Sequence, residues 1–223
     1  MKRFAIITAG GIGTRMNATV PKQFLVLGNL PILMHSIKRF YDFDNSIHII
    51  LSIPEEYFEF WKQLLKKYKF EIKHRIVAGG NTRFQSIKNS LDRINEDGIV
   101  AVHDGVRPLV SKETIKRTFD TAEKYGNAVA SCDIVFSLRK TENGKNFALN
   151  RNFYKEIQTP QAFNTGDLKH AYNVDFREEF TDDASVFEAA GHKINLVKGN
   201  RENIKITSPE DLIIAEALLN RVF

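Results

Sequence analysis

A doubly wound α/β fold, with helices on both faces of a mostly parallel sheet, is what this sequence predicts. Short apolar runs rich in β-branched residues alternate with amphipathic stretches of helical length. Glycine-bearing loops follow directly on the ends of several of those runs. A chain of 223 residues, 43% apolar and 26% charged, suits an ordinary globular domain spanning positions 1–223.

The strands are predicted at 4–8, 47–53, 72–78, 99–103, 128–132 and 194–197, each a short apolar run of strand length. Between them, positions 32–40, 55–68, 82–94 and 112–125 carry the spacing of helices. The last helix is the best marked, because Ser208 can cap it, Pro209 fits its first turn, and Glu210 and Asp211 complement its dipole. Its apolar face, Leu212, Ile213, Ala215, Ala217, Leu218 and Val222, is expected to close the core. The segment 135–158 breaks the rhythm, with Asn143-Gly144 placed as in a hairpin turn. It reads as a β-arm within the domain. Its strands are too short and polar to bury a core of their own, so the arm is expected to pack on a second subunit. A mobile surface loop is the other reading.

Cys132 is the single cysteine, which excludes an intrachain disulfide and any site of several thiolates. The apolar stretch in MKRFAIITAGG is too short for a signal-peptide core, and no run approaches the roughly 18 residues of a membrane span. A soluble, cytoplasmic protein is expected. The formal charge of +5 suits nucleic acid, a membrane surface or small anions, and the placement of the cations favours small phosphates.

The first predicted strand runs into Ala9-Gly10-Gly11-Ile12-Gly13-Thr14-Arg15, followed by Pro21-Lys22. Glycines past a strand end let backbone N–H groups line an anion-binding nest. The third glycine of a dinucleotide fingerprint and the Gly-Lys-Ser/Thr of a Walker loop are both missing. What remains is a glycine loop with two cations, Arg15 and Lys22, able to neutralise charge that grows on phosphorus; a tight turn with both cations solvated is the plainer alternative. The segment Gly79-Gly80-Asn81-Thr82-Arg83, opening a helix through Ser86, repeats the pattern and could read the edge of a base or simply cap the helix. His103-Asp104-Gly105-Val106-Arg107-Pro108 again follows a strand, where open α/β sheets bind ligands. Asp104 could bind a metal or pair with Arg107. His103 reads as a packed strand-end residue and Cys132 as core. Thr159-Pro160-Gln161 and the run Asn203 to Thr207 add a hydroxyl and a cation, Lys205, while Thr181-Asp182-Asp183 resembles a helix cap.

Taken in order, AGGIGTRM, PKQF, GGNTRFQS, HDGVRP, TPQAF, TDDAS and NIKITSPEDL resemble the cytidylyltransferases that join CTP to 2-C-methyl-D-erythritol 4-phosphate. The resemblance implies a Rossmann-like nucleotidyltransferase fold, Mg²⁺ dependence and a homodimer in which the arm completes the partner's acceptor pocket. It also implies roles for residues. Arg15, Lys22 and Lys205 would be catalytic; Ala9, Gly10, Gly11, Gly13, Gly80, Asn81, Ser86 and Asp104 would bind the nucleotide, with Asp104 near the metal. Arg107, Ser137, Arg151, Thr159 and Thr181 would bind the acceptor, some across the dimer. Gly105-Val106 replaces a common Ala-Ala pair, Ser137 a frequent threonine, and Asn81 an occasional aspartate. The phosphate of the acceptor, with a second pKa of about 6, needs no general base. Ribitol 5-phosphate cytidylyltransferase is the nearest rival reading. From another class, the basic run at 62–75 could mark a non-enzymatic nucleic-acid-binding module, although a solvated helix face explains it as well.

Overall fold

A computed structural model describes residues 1–11 and 20–222. In chain order its strands are β1 (Lys2–Thr8), β2 (Val26–Leu27), β3 (Leu30–Pro31), β4 (His48–Ile53), β5 (Arg75–Ala78), β6 (Gly98–Asp104), β7 (Asn127–Asp133), β8 (Leu138–Glu142), β9 (Lys145–Leu149), β10 (Lys155–Asn164) and β11 (Leu196–Lys198). The helices are α1 (Ile32–Phe43), α2 (Phe58–Lys67), α3 (Arg83–Leu91), α4 (Lys112–Tyr125), α5 (Thr165–Ala171), α6 (Asp183–Ala189) and α7 (Pro209–Val222).

The main sheet has seven strands in the order β11-β7-β10-β6-β1-β4-β5, and every pairing is parallel except the two that β10 makes. Alternate residues of β1 serve two cores, as a strand buried on both faces must. Ala5 and Ile7 meet Ile37 and Phe40 of α1, Trp61 of α2 and Phe119 of α4; Phe4 and Ile6 meet Phe84 and Ile87 of α3, Leu168 of α5 and Phe187 of α6. The ends of α4 show the local logic. The Ser111 side chain accepts the Thr114 N–H, and Gly126 takes the left-handed φ of +86° that closes the helix.

All six predicted strands lie in this sheet; the seventh, β10, was not predicted. The expected arm at 135–158 therefore needs correction. Its hairpin is β8 and β9, whereas residues 155–158 already belong to β10. The strand expected at 72–78 begins only at Arg75, because the His74 ring is taken up by the Trp61 indole N–H and the Ile72 carbonyl. On α7, Ala215 is buried but Ile213 is 68% exposed and Ala217 is also exposed, so the expected apolar face is only half used.

Candidate active site

β1, β5 and β6 end at one edge of the sheet, and the loop after each turns into the same cleft. Beyond β1, the Ala9 N–H donates to Ser52 O at 2.9 Å, and the buried Gln23 amide donates to Ala9 O at 2.8 Å. The loop is thereby tied to the turn Lys22–Phe24, and the Lys22 stem runs alongside it: a Cβ added to Gly11 would stand 4.0 Å from Lys22 Cε. Beyond β5, Ser86 Oγ accepts from Gly80 N at 3.0 Å and donates to Thr82 O at 2.9 Å, while Thr82 caps α3. The hydroxyl expected at a base edge is thus engaged in shaping its own loop. Beyond β6, Gly105 N donates to Thr8 O at 2.8 Å and brings this loop against the first.

The centre of the cleft is the Asp104 carboxylate, on a side chain 10% exposed. Its Oδ2 lies 3.0 Å from Lys205 Nζ and 3.2 Å from Arg107 Nε, and its Oδ1 lies 3.9 Å from Arg83 Nε. Burial alone would push this carboxyl up, but Arg83, Lys205 and Arg107 outweigh burial and hold it well below the usual carboxylate range. Asp104 is therefore ionised throughout the neutral and mildly acidic range. Its backbone is fixed as firmly. Asp104 N donates to Thr159 Oγ1 at 3.1 Å, that hydroxyl donates to His103 Nδ1 at 3.0 Å, and His103 Nε2 donates to Arg107 O at 3.0 Å. Burial pushes the imidazole down to about 4, against the Arg107 hydrogen bond and the Asp104 charge, so the ring is neutral. His103 is packed, as the sequence implies. Thr159 is 4% exposed, and its proton is given to His103 Nδ1.

Two cavities meet at this carboxylate. One, of about 310 Å³, is lined by Ala9, Gly10, Gly11, Lys22, Gly80, Asn81 and Ser86; the other, of about 230 Å³, by Arg107, Thr159 and Thr181; Arg83, Asp104 and Lys205 line both. These expected site residues therefore converge. Ser137 and Arg151 do not join them: Ser137 is exposed ahead of β8, and Arg151, donating to Val135 O, lies in a separate recess with Asp133, Asn152 and Arg201. Gly13 and Arg15 lie outside the described residues. Cys132 is half-buried at the end of β7 rather than core, and burial pushes its thiol up.

The sequence reasoning missed Arg83, Asp183 and Gln161. Arg83 Nη1 and Nη2 donate to the two oxygens of Asp183 at 3.1 and 2.6 Å, and Gln161 joins Asp182 to Ala184 N. All three stand inside quoted motifs, and that was the available signal. Among the described residues no group of three or more His, Cys, Asp and Glu could cage a metal. Asp104 is the carboxylate that lines both cavities, where a cation carried by phosphate oxygens would meet it, the manner in which Mg²⁺ is commonly held.

The model of the IspD family, 2-C-methyl-D-erythritol 4-phosphate cytidylyltransferase, matches residues 4–221. The chain belongs to this family. Relatives bearing that name are 47% identical over 98% of this chain and 100% of the protein from Phocaeicola vulgatus, and 49% identical over 98% of both chains for Porphyromonas gingivalis. The crystal structure of 4-diphosphocytidyl-2C-methyl-D-erythritol synthase from Anaerococcus prevotii superposes with a TM-score of 0.84 at 29% identity, covering 99% of each chain. The bifunctional IspDF of Campylobacter jejuni gives 0.80 at 32% identity over 96% of this chain and 54% of that one. Among the described residues, no helix is long and apolar enough to cross a membrane.

Proposed function

We propose that the chain transfers the cytidylyl group of CTP to 2-C-methyl-D-erythritol 4-phosphate. An oxygen of the acceptor phosphate bonds to the α-phosphorus while the bond from that phosphorus to the β-phosphate oxygen breaks, and pyrophosphate leaves. The products are pyrophosphate and 4-diphosphocytidyl-2-C-methyl-D-erythritol. The observation that carries this reading is the Asp104 cluster, where one carboxylate and three cations stand at the junction of two cavities. CTP occupies the larger cavity, its base toward Gly80, Asn81 and Ser86 and its phosphates toward Ala9, Gly10, Gly11 and Lys22. The acceptor occupies the smaller one, its phosphate between Arg107, Thr181 and Lys205.

A phosphate whose second pKa is about 6 arrives at neutral pH mostly as the dianion, so no side chain has to remove a proton. His103, the imidazole nearest the junction, is 0% exposed with both ring nitrogens engaged, and serves the backbone. The work left to the protein is positioning and neutralisation, as in phosphoryl transfer generally. Lys22 and Lys205, together with Arg15, place positive charge where it builds up on the α-phosphorus and its leaving group. Asp104 would hold a Mg²⁺ bound there, and the ion would supply neutralisation of the triphosphate's negative charge.

The arm supports a homodimer. Phe136, Phe147 and Phe153 are 78%, 53% and 84% exposed, and exposed aromatics grouped on one feature mark an interface. In a dimer Ser137 and Arg151 would reach the partner's acceptor cavity. The cytoplasm, with its supply of CTP, is the proposed compartment.

The test is pyrophosphate release from CTP and methylerythritol phosphate, with UTP, GTP and ribitol 5-phosphate as controls. Turnover with CTP and methylerythritol phosphate is expected to exceed all controls. Preference for ribitol 5-phosphate would transfer the assignment to the rival enzyme, and no turnover would end it.

A further inference from the structure

Arg83 is the first residue of α3, directly after the Gly79-Gly80 loop, and it lines both cavities. Its guanidinium is held from the far side of the cleft by a bidentate pair to Asp183, the first residue of α6, a carboxylate that is 0% exposed and also accepts the Tyr172 hydroxyl at 2.6 Å. The Tyr172 ring in turn stacks on Phe84, with centroids 4.6 Å apart. With two anchored nitrogens and a planar fork, the guanidinium has one orientation, and in it Nε faces Asp104 Oδ1. Burial opposes the charge on Arg83, but Asp183 and Asp104 more than offset it and hold this arginine above its ordinary pKa.

We propose that Arg83 is a positioning residue of the transfer, a strap from Asp183 that fixes the Asp104 carboxylate where the nucleotide and acceptor cavities meet. This deepens the cytidylyl-transfer reading and rests on it. Lys205 and Arg107 both approach Oδ2 of Asp104, so the rotation of that carboxylate sets where their charges stand. Arg83 makes its closest approach at the other oxygen, Oδ1, and from there it resists that rotation. A lysine in its place carries the same charge but a single nitrogen, and cannot serve Asp183 bidentately while facing Asp104. The nitrogen would follow the buried partner and release the other. An ångström of misplacement at a reacting centre costs on the order of 100-fold in rate.

The experiment is Arg83→Lys in the full chain, assayed with CTP and methylerythritol phosphate, with CTP affinity measured by calorimetry without acceptor and thermal midpoint alongside. The expected result is a fall in kcat of about 100-fold with CTP affinity held within about threefold and little change in midpoint. Asp183→Asn, which keeps the shape but loosens the anchor, is expected to lower kcat similarly, and the double variant to be no worse than about threefold below either single one. If Arg83→Lys fails to fold, Asp183→Asn decides by the same readouts. A kcat within threefold of wild type overturns the strap, and so does a parallel loss of kcat, CTP affinity and midpoint, which marks a purely structural role. A wild-type chain that releases no pyrophosphate defeats the transfer reading and the strap with it; an active wild type matched by Arg83→Lys defeats the strap alone.

Discussion

The floor of the cleft and the arm sit at neighbouring points of the chain and are stabilised in opposite ways. On the floor, His103 and Asp183 are 0% exposed, Thr159 is 4% exposed, and the polar atoms that define their geometry are paired within the same chain. In the arm, β8 pairs only with β9 among the described residues, and the large apolar side chains Phe136, Phe147 and Phe153 are exposed. A two-stranded hairpin is marginal on its own in water. The described residues of the floor thus find their partners within one chain, whereas the arm's aromatic side chains stand exposed among the described residues. Changes to the floor should act inside a single subunit, and changes to the arm should act through association.

The largest effect is expected at the reacting centre. Lys22→Ala should lower turnover by about 10²–10³, with a smaller change in CTP affinity, because its charge matters most as negative charge develops; steady-state kinetics beside calorimetry measures the two. Replacing Phe136 and Phe153 together by Asp should weaken self-association by about 30-fold or more, seen in sedimentation, with the fold of each chain intact by circular dichroism. A monomeric wild type would break the comparison outright. Gly105→Ala should lower stability by about 1–3 kcal/mol in denaturant titration, because the new Cβ would meet Leu33 Cδ1 at 2.8 Å, Thr8 O at 3.1 Å and Ala9 Cβ at 3.2 Å.

The smallest effect is a pH dependence. His103 titrates near 6.5 when unfolded and at about 4 when folded, so between those values the unfolded chain binds the extra proton and stability rises with pH. That contribution is complete above about pH 6.5 and lost as pH falls toward 4. His103→Asn should flatten this part of the stability profile, a slope that chemical denaturation at stepped pH resolves. Turnover should also fall below about pH 6, there through protonation of the acceptor phosphate, while Asp104 stays ionised.

The legible part of this molecule was its local physics. Apolar runs such as 47–53, broken only by His48 and Ser52, read as buried strands, and glycines at strand ends located the cleft. β10 escaped because TPQAFN contains Pro160 and polar glutamine, features that argue against a central strand; Pro160 lies in the register shift between Ile157 and Gln161, where no ladder bond is required of it. Asp183 escaped for a different reason. The run Thr181-Asp182-Asp183 suffices as a cap, and Asp182 is one, but nothing local shows that Asp183 turns inward to an arginine 100 residues away. Thr159 was singled out by motif as an acceptor contact, yet only the fold reveals that its hydroxyl faces His103.

Strand β10 gives the two regions a shared backbone. Ile157, 39% exposed, lines the smaller cavity at the arm end of the strand, while Thr159 already holds the amide of Asp104. Gln158 alone separates them, with no loop to absorb a displacement. A neighbouring subunit pressing on Ile157 would therefore be felt at Asp104 through a single intervening residue, and quaternary contact and cleft geometry would be two ends of the same short lever.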